Sequence, residues 1–379
     1  MINLNKDNCC GCGVCEKICA HSAITMVADD FGFLYPKVSV DRCVDCGLCE
    51  RICPFNTKGT TQYDSPKAYA VRHRDPEVVN QSRSGGFFTA ITDSILQSGG
   101  IIYGAVVDEF VRVVHMRADS SAGRDRMRGS KYSQSQLCDV CNAVKRDLRN
   151  GKRVLFSGTP CQVEAITRFV GEKLRENLVT VDIICHGVGS PEVWRRFVEH
   201  IERSAGRKIA QVDFRDKKKY GWNGLHKESF LFEKDSVRKY YPYTYYNDFH
   251  VRESCRNCPY TSIPRHSDIT LGDLWGFEKV VPEWGKGNNG ISLVLINSTK
   301  GLELMKDSEE SIESQPIDLS KVMQPHLQHP IEFDDSCRKK YSEEFRSMPF
   351  EVVLEKFHKV KRPAFSRILL NKAKMFLKR

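Results

Sequence analysis

The sequence predicts a small α+β domain over residues 1–60, an α/β domain with a mixed, largely parallel sheet over residues 61–290, and a mainly helical C-terminal lobe over residues 291–379. Three observations carry this prediction. A cysteine repeat with short, matching intervals fills residues 9–53. From residue 67 onward, short apolar runs alternate with segments of helical period, the order that builds a wound sheet. Beyond "NNGISLVLINS", a last strand, the cysteine motifs stop and helical spacing dominates. At 379 residues and 28% charged, the chain has the length for two or three domains and the composition of an ordinary globular protein.

The repeat consists of "CCGCGVCEKICAHSAI" and "CVDCGLCERICPFN". Each half is a C-x2-C-x2-C-x3-C run, in which the first three thiolates wrap one cubane and the fourth reaches the neighbouring one. On that rule Cys9, Cys12, Cys15 and Cys53 hold a first 4Fe-4S cluster, and Cys43, Cys46, Cys49 and Cys19 hold a second. Gly11, Gly13 and Gly47 let the backbone approach closely, and Pro54 stops the chain after the last ligand. Zinc or buried free thiols are the alternatives, but zinc knuckles do not use this doubled spacing. Ala20 stands where the second half has Pro54, which loosens a turn without removing a ligand. Cys10 falls outside the pattern and reads as a packed or exposed neighbour. "DDFGFLYPKV" reads as the hairpin between the halves. The domain resembles a two-cluster bacterial ferredoxin, which implies the transfer of single electrons.

In the larger domain, "KAYAVRH", "IIYGAVVD" and "RVVHMRA" read as strands. "GGFFTAITDSILQSGG" reads as a helix with Phe87, Phe88, Ile91 and Ile95 inward, and Leu137, Val140, Val144 and Leu148 mark another that ends at Gly151. Two later units carry cysteine just after a strand. In "KRVLFSGTPCQVEA" the chain runs through Gly158, Thr159 and Pro160 into a helix opened by Cys161. In "LVTVDIICHGVGSPEVW" the strand ends at Cys185, and Ser190 with Pro191 starts the next helix. Loops that follow parallel strands share one sheet edge, where ligands bind, so Cys161 and Cys185 converge there. With Cys255 and Cys258 of "SCRNCPY" they make four ligands for a third 4Fe-4S site. The residues alone leave an equal alternative: two buried structural cysteines plus a separate zinc or redox pair. Cys138 and Cys141 form a rival C-x-x-C, read as helix packing, and Cys337 has no assignment.

"SRSGGFFTA", "GSKYSQS", "FSGTPCQVEA", "IICHGVGSPEVW", "SCRNCPYTS" and "SDITLGDLWG", in this order, resemble the coenzyme F-420 hydrogenase/dehydrogenase beta subunit family over about Ser82 to Gly276. The resemblance implies non-covalent FAD fed or drained by iron-sulfur clusters, and it favours the third cluster over the alternative. No G-x-G-x-x-G is present, so a flavin would be held by other means. The candidates are Ser84, Gly85 and Gly86, a glycine turn offering backbone N–H groups to phosphate; Ser130, Lys131 and Tyr132, a cation beside a ring; Thr159 and Pro160 beside Cys161; and Asp273, Trp275 and Gly276 as a closing wall. Each has a plainer reading as a turn, cap or packed aromatic. His186, next to Cys185, is a candidate catalytic proton carrier or an ordinary loop histidine.

The net charge of +10 fits an acidic partner such as a ferredoxin-like or other redox protein. No nucleic-acid module is present. The tail "KRPAFSRILLNKAKMFLKR" sets Phe365, Ile368, Leu369 and Phe376 beside Lys372 and Arg379, a candidate membrane-surface contact or a docked helix. "KYYPYTYYNDFHVRES" reads as a substrate lip or a half-packed strand. The start lacks a signal peptide's pattern and no run approaches the ~18 apolar residues of a membrane span, so the expected location is cytoplasmic. The function expected is an iron-sulfur flavoprotein oxidoreductase that passes electrons from a ferredoxin-type donor through 4Fe-4S clusters and FAD to an organic acceptor. Deazaflavin, lipid-linked sugar, pterin and quinone are all candidate acceptors. The alternatives are a non-catalytic electron-transfer subunit and a cluster-bearing protein without flavin.

Overall fold

The computed structural model describes residues 2, 5–56, 61–137, 139–222, 228–233, 239–241, 248–285 and 289–358. Cys138, residues 242–247 of the tyrosine-rich stretch and the basic tail from 359 onward lie outside them.

The N-terminal domain pairs β1 (Ile24–Ala28) with β2 (Leu34–Val38) in an antiparallel hairpin. Two short helices, Val14–Ile18 and Leu48–Ile52, stand at equivalent places in the cysteine repeat. Each is preceded by a left-handed glycine, Gly13 at φ 75° and Gly47 at φ 70°, a backbone state that other residues adopt only under strain. This is why the two halves share their glycine as well as their cysteines.

The central sheet is built from β3 (Lys67–His73), β4 (Ile101–Val107), β5 (Val113–Ala118), β6 (Val154–Gly158) and β7 (Leu178–Ile183). A three-stranded antiparallel sheet follows in the chain, formed by β8 (Ile209–Asp213), β9 (Glu228–Phe232) and β10 (Lys239–Tyr241). The central sheet is then completed by β11 (Ile269–Asp273), β12 (Ser292–Ile296) and β13 (Ile312–Pro316), giving the order β13-β3-β12-β11-β7-β6-β4-β5. β4, β6, β7 and β11 are mutually parallel neighbours. The other four pairings are antiparallel, so the sheet is mixed, with its parallel run confined to the middle, and "largely parallel" overstates it.

Strand β12 alternates its side chains between two cores, as a fully covered strand must. Val294 and Ile296 meet the helices Phe87–Gln97 and Thr299–Asp307 on one face, and Leu293 and Leu295 face Leu274, Trp284 and Trp222 on the other. β12 lies between β3 and β11, and β13 pairs with β3, so residues beyond 290, where the sequence reading begins a separate lobe, continue the same sheet. "IESQP" of β13 escapes a hydrophobicity reading because an edge strand buries only its first residue, Ile312. Helices Asp335–Ser347 and Phe350–His358 come later and pack with helix Pro191–Ala205 and the sheet of β8 and β9.

Helix starts follow the local chemistry. Pro191 is the first residue of its helix and the Ser190 hydroxyl accepts from the Val193 amide at 3.0 Å. Thr159 and Gln162 form a reciprocal capping box at the head of Pro160–Val170. The N-terminal domain is sewn onto the rest: Val14 and Ile52 share a core with helices Val140–Arg149 and Pro160–Val170, and Phe31 stacks on Phe345 at 4.8 Å. Replacing Leu295, fully buried in β12, by alanine should destabilise the protein by about 2–5 kcal/mol in urea unfolding, because cavity and transfer costs add. A cost near zero would remove this strand from the core.

Candidate cluster and cofactor sites

Cys9, Cys12, Cys15 and Cys53 line one cavity. Cys19, Cys43, Cys46 and Cys49 line a second. Each set contains three ligands of one half-repeat and the last cysteine of the other half. Cys161, Cys185, Cys255 and Cys258 line a third cavity, together with Pro160, His186, Gly187 and Arg252.

Three loops deliver the last set. Parallel neighbours β6 and β7 end beside each other, so the turns leaving them carry Cys161 and Cys185 to one sheet edge. The Thr159 hydroxyl lies 3.3 Å from the Cys161 sulfur. Cys255 and Cys258 arrive on the 3-10 turn Glu253–Asn257 and its end. The following strap is anchored to β7 by the buried Arg265–Asp182 pair at 2.8 Å, and by Asp268, which accepts from the Thr180 amide at 2.8 Å. Gly187 leaves the wall thin where it must be. A side chain there would begin 2.7 Å from Val251 Cγ1 and 3.6 Å from the Cys255 sulfur, at a φ of 151°.

The donor chemistry fits iron-sulfur groups. Burial first, then the neighbouring Cys258, pushes the Cys255 thiol up to about 12; burial and Cys161 push Cys258 up to about 12. Cys185 is raised too, by burial and by Cys255. In the first cavity burial, then Cys9 and Cys53, raise Cys15 to about 12. Thiols so placed ionise together only when cationic metal takes the place of their protons. Among the described residues no three such side chains surround a point closely enough for a single ion. The sulfurs instead line the walls of box-like spaces, as a four-iron core requires.

Beside the clusters lies a cleft of about 1190 Å³, larger than a typical ligand pocket. Its wall carries Arg83, Arg126, Arg128, Arg215, Lys131 and the Lys217–Lys219 run. Of the flavin candidates, Ser130 and Lys131 line it. Lys131 Nζ lies within 3.2 Å of the carbonyls of Arg126, Met127, Arg128 and Gly129, so it also ties its own loop together, and burial pulls it down to about 7. Tyr132 lies edge-on to Phe214, a cleft residue. Asp273 and Trp275 stand behind the wall: Asp273 holds Arg215 at 3.0 Å and accepts from the Trp222 indole at 2.7 Å, and Trp275 lies under the same guanidinium at 5.6 Å. Arg215 Nη2 is buried with no hydrogen-bond partner among the described residues, an opening for an anionic ligand.

Other candidates serve elsewhere. The Gly85 amide is not free for phosphate, because it donates to Ser292 Oγ at 3.0 Å. A Cβ on Gly85 would lie 2.3 Å from the Val71 carbonyl oxygen, so glycine is needed there for strand packing. Ser84 donates to the Ile291 carbonyl at 2.7 Å, and Gly86 caps helix Phe87–Gln97. Thr159 caps a helix, and Pro160 lies at the third cavity. His186 lies there too, bonded at 2.7 Å to both His326 and Asp248. Cys141 is buried among the helix contacts expected of it. The sequence reading missed Arg215, the Lys217–Lys219 wall and Arg252, since charged residues ordinarily signal solvent and nothing in their spacing distinguishes them.

A cysteine-rich domain docked on a mixed sheet, with further cysteines at the sheet edge, defines an oxidoreductase-related iron-sulfur protein. Residues 8–57 match the 4Fe-4S dicluster domain, and residues 151–320 belong to the family described as the C terminus of the coenzyme F420 hydrogenase/dehydrogenase beta subunit. Among solved structures, the F420-reducing [NiFe] hydrogenase complex from Methanosarcina barkeri contains a chain 19% identical, with a TM-score of 0.47, the match covering 75% of this chain and 89% of that one. No curated protein matches. Among the described residues no helix is long and apolar enough to cross a membrane.

Replacing Cys258 by serine should lower the iron content by about four atoms per chain, measured on anaerobically purified protein. An unchanged count would exclude Cys258 as a cluster ligand.

Proposed function

We propose that the protein is an iron-sulfur flavoprotein oxidoreductase, taking single electrons from a ferredoxin-like or other redox protein and delivering pairs of them to an organic acceptor, with deazaflavin among the candidates. When bound, the clusters carry one electron at a time and FAD pairs two of them for carbon chemistry. Two reduced one-electron donors and one oxidised acceptor with its protons thus give two oxidised donors and one acceptor reduced by two electrons.

The observation that carries the reading is the continuity of the three cysteine cavities with the basic cleft. Cys19 and Cys53 each cross between the half-repeats, linking the first two cavities. Cys10 borders both the first and the third. The five residues from Ser130 to Gln134 run from the cleft wall to the Cys10 carbonyl, which accepts from Gln134 Nε2 at 2.7 Å. In this reading Arg83, Arg128 and Arg215 attract the phosphates, and Asp273 with Trp275 keeps Arg215 in position. His186, held between Asp248 and His326, is a candidate proton carrier at the third cavity, where its neighbours keep the ring oriented. A non-catalytic electron-transfer subunit is the second reading, supported by the matched family's description as a beta subunit. A stoichiometric copurifying protein, with no turnover by this chain alone, would favour it.

Anaerobic analysis should find about twelve iron atoms and one FAD per chain. Eight irons would leave two clusters, and no releasable flavin would end the flavoprotein reading. Ser130→Trp, which puts bulk on the exposed cleft wall, should lower FAD content several-fold while leaving iron unchanged. Full flavin occupancy in that variant would move the binding site elsewhere.

A further inference from the structure

We propose that the Arg252 guanidinium is a shared charge between the first and third cysteine cavities, raising the reduction potentials of the two clusters they would hold and leaving the second cluster outside its reach. The inference rests on the three-cluster reading.

Arg252 is 0% exposed. Its Nε donates to the Cys9 carbonyl at 2.6 Å, Nη2 donates to the Leu34 carbonyl at 2.8 Å, and Nη1 donates to Gln134 Oε1 at 3.0 Å. Nη2 also lies 3.7 Å from the Cys9 sulfur, a predicted ligand of the first cluster. The same side chain lines the third cavity, beside Cys161, Cys185, Cys255 and Cys258. Its guanidinium carbon sits 4.3 Å from the centre of the Tyr35 ring and 5.2 Å from that of Phe33.

What is missing is a carboxylate. Among the described residues no ion pair reaches Arg252; the adjacent Glu253 is engaged by Arg338 at 2.7 Å and Arg256 at 3.7 Å. A buried cation without an anion is strongly unfavourable, and carbonyls, an amide and ring faces compensate it only in part. Anionic thiolate clusters on either side supply the missing charge. Each becomes more negative on reduction, so a fixed cation in a water-poor wall favours the reduced state and raises the potential. The charge already lowers the proton affinity of Cys161 and Cys255 on its one side.

The internal repeat supplies a comparison within the chain. Gly11 and Asp45 occupy the same place in the two halves and both have left-handed backbone, φ 68° and 52°. At Gly11 a Cβ would stand 2.7 Å from Arg252 Nη1, so the guanidinium requires glycine there. Asp45 carries a side chain at the matching position of the second half, where no such wedge enters. Arg51, which approaches Gly47 in that half, is exposed and screened by solvent.

The test uses the full chain, purified anaerobically, with iron counted first so that failure of the three-cluster reading is seen independently of Arg252. Midpoint potentials are then read by EPR-monitored reductive titration, with signals assigned by their loss in Cys258→Ser and Cys46→Ser. In Arg252→Met the first and third midpoints should fall by at least tenfold in equilibrium constant, about 59 mV for a one-electron couple, while the second stays in place. Arg252→Lys, which keeps the charge but not the fork of hydrogen bonds, should retain most of both potentials. Unchanged midpoints in a fully loaded Arg252→Met, a common shift of all three, or an equal fall in Arg252→Lys would overturn the proposal. If Arg252→Met loses iron, Gln134→Glu decides, since it leaves the arginine and sets a carboxylate against Nη1: the same two midpoints should fall, and their constancy would refute the idea.

Discussion

Buried thiols gathered around one space repel each other once deprotonated, and only a cation lets four of them share it. The architecture is organised around that constraint. Cys255 and Cys258, held high by burial and by their neighbours, have no favourable charged state without a metal centre, yet three separate loops bring them to Cys161 and Cys185. The parallel run of β4, β6, β7 and β11 makes the convergence geometrically cheap, because neighbouring parallel strands end on the same edge and their following turns are already side by side. The antiparallel strands on either flank extend and close the sheet without adding to that edge.

The small domain is held to the large one through its own cysteine loop as well as its surface. The Cys9 and Cys10 carbonyls accept from Arg252 and Gln134, the Ser190 hydroxyl donates to the Phe31 carbonyl at 2.6 Å, and Asp30 pairs with Arg346 at 2.6 Å. Val14 and Ile52, on the two short helices, enter the core of the sheet. This matters for electron transfer, which falls steeply with distance: a domain tethered only by a linker would hold its clusters at variable separations, whereas a packed one keeps them constant. The docking also explains why the two halves of the repeat, so alike in sequence, have different surroundings. The first half faces Arg252 and the third cavity, and the second half leaves Val44 and Leu48 exposed.

The basic cleft shows the same division of labour between contact and support. Arg215 and Lys131 line it, but Asp273, Trp222 and Trp275 determine where Arg215 stands, and four carbonyls determine where Lys131 stands. A wall of fixed cations binds anions with less reorganisation than a wall of free ones, since part of the ordering is already complete. The three tryptophan and aspartate side chains thus belong to the cleft although they do not face it.

By itself the sequence determined what depends on neighbours along the chain. The C-x2-C-x2-C-x3-C intervals, the left-handed glycines before the two short helices, the Thr159–Gln162 and Ser190–Pro191 helix starts, and most strands of the central sheet all follow from spacing, propensity and local hydrogen bonding. Strand β13 was hidden because an edge strand needs little apolar surface, and the reach of β12 into the centre of the sheet was hidden because periodicity reports burial without naming the neighbour. Only the tertiary structure decided that Gly85 serves packing over Val71 and not phosphate, that Asp273 works through Arg215, and that Arg252 lies between two cysteine cavities. Those outcomes depend on which surfaces meet, and a charged residue destined for a buried wedge looks, in one dimension, the same as one destined for water.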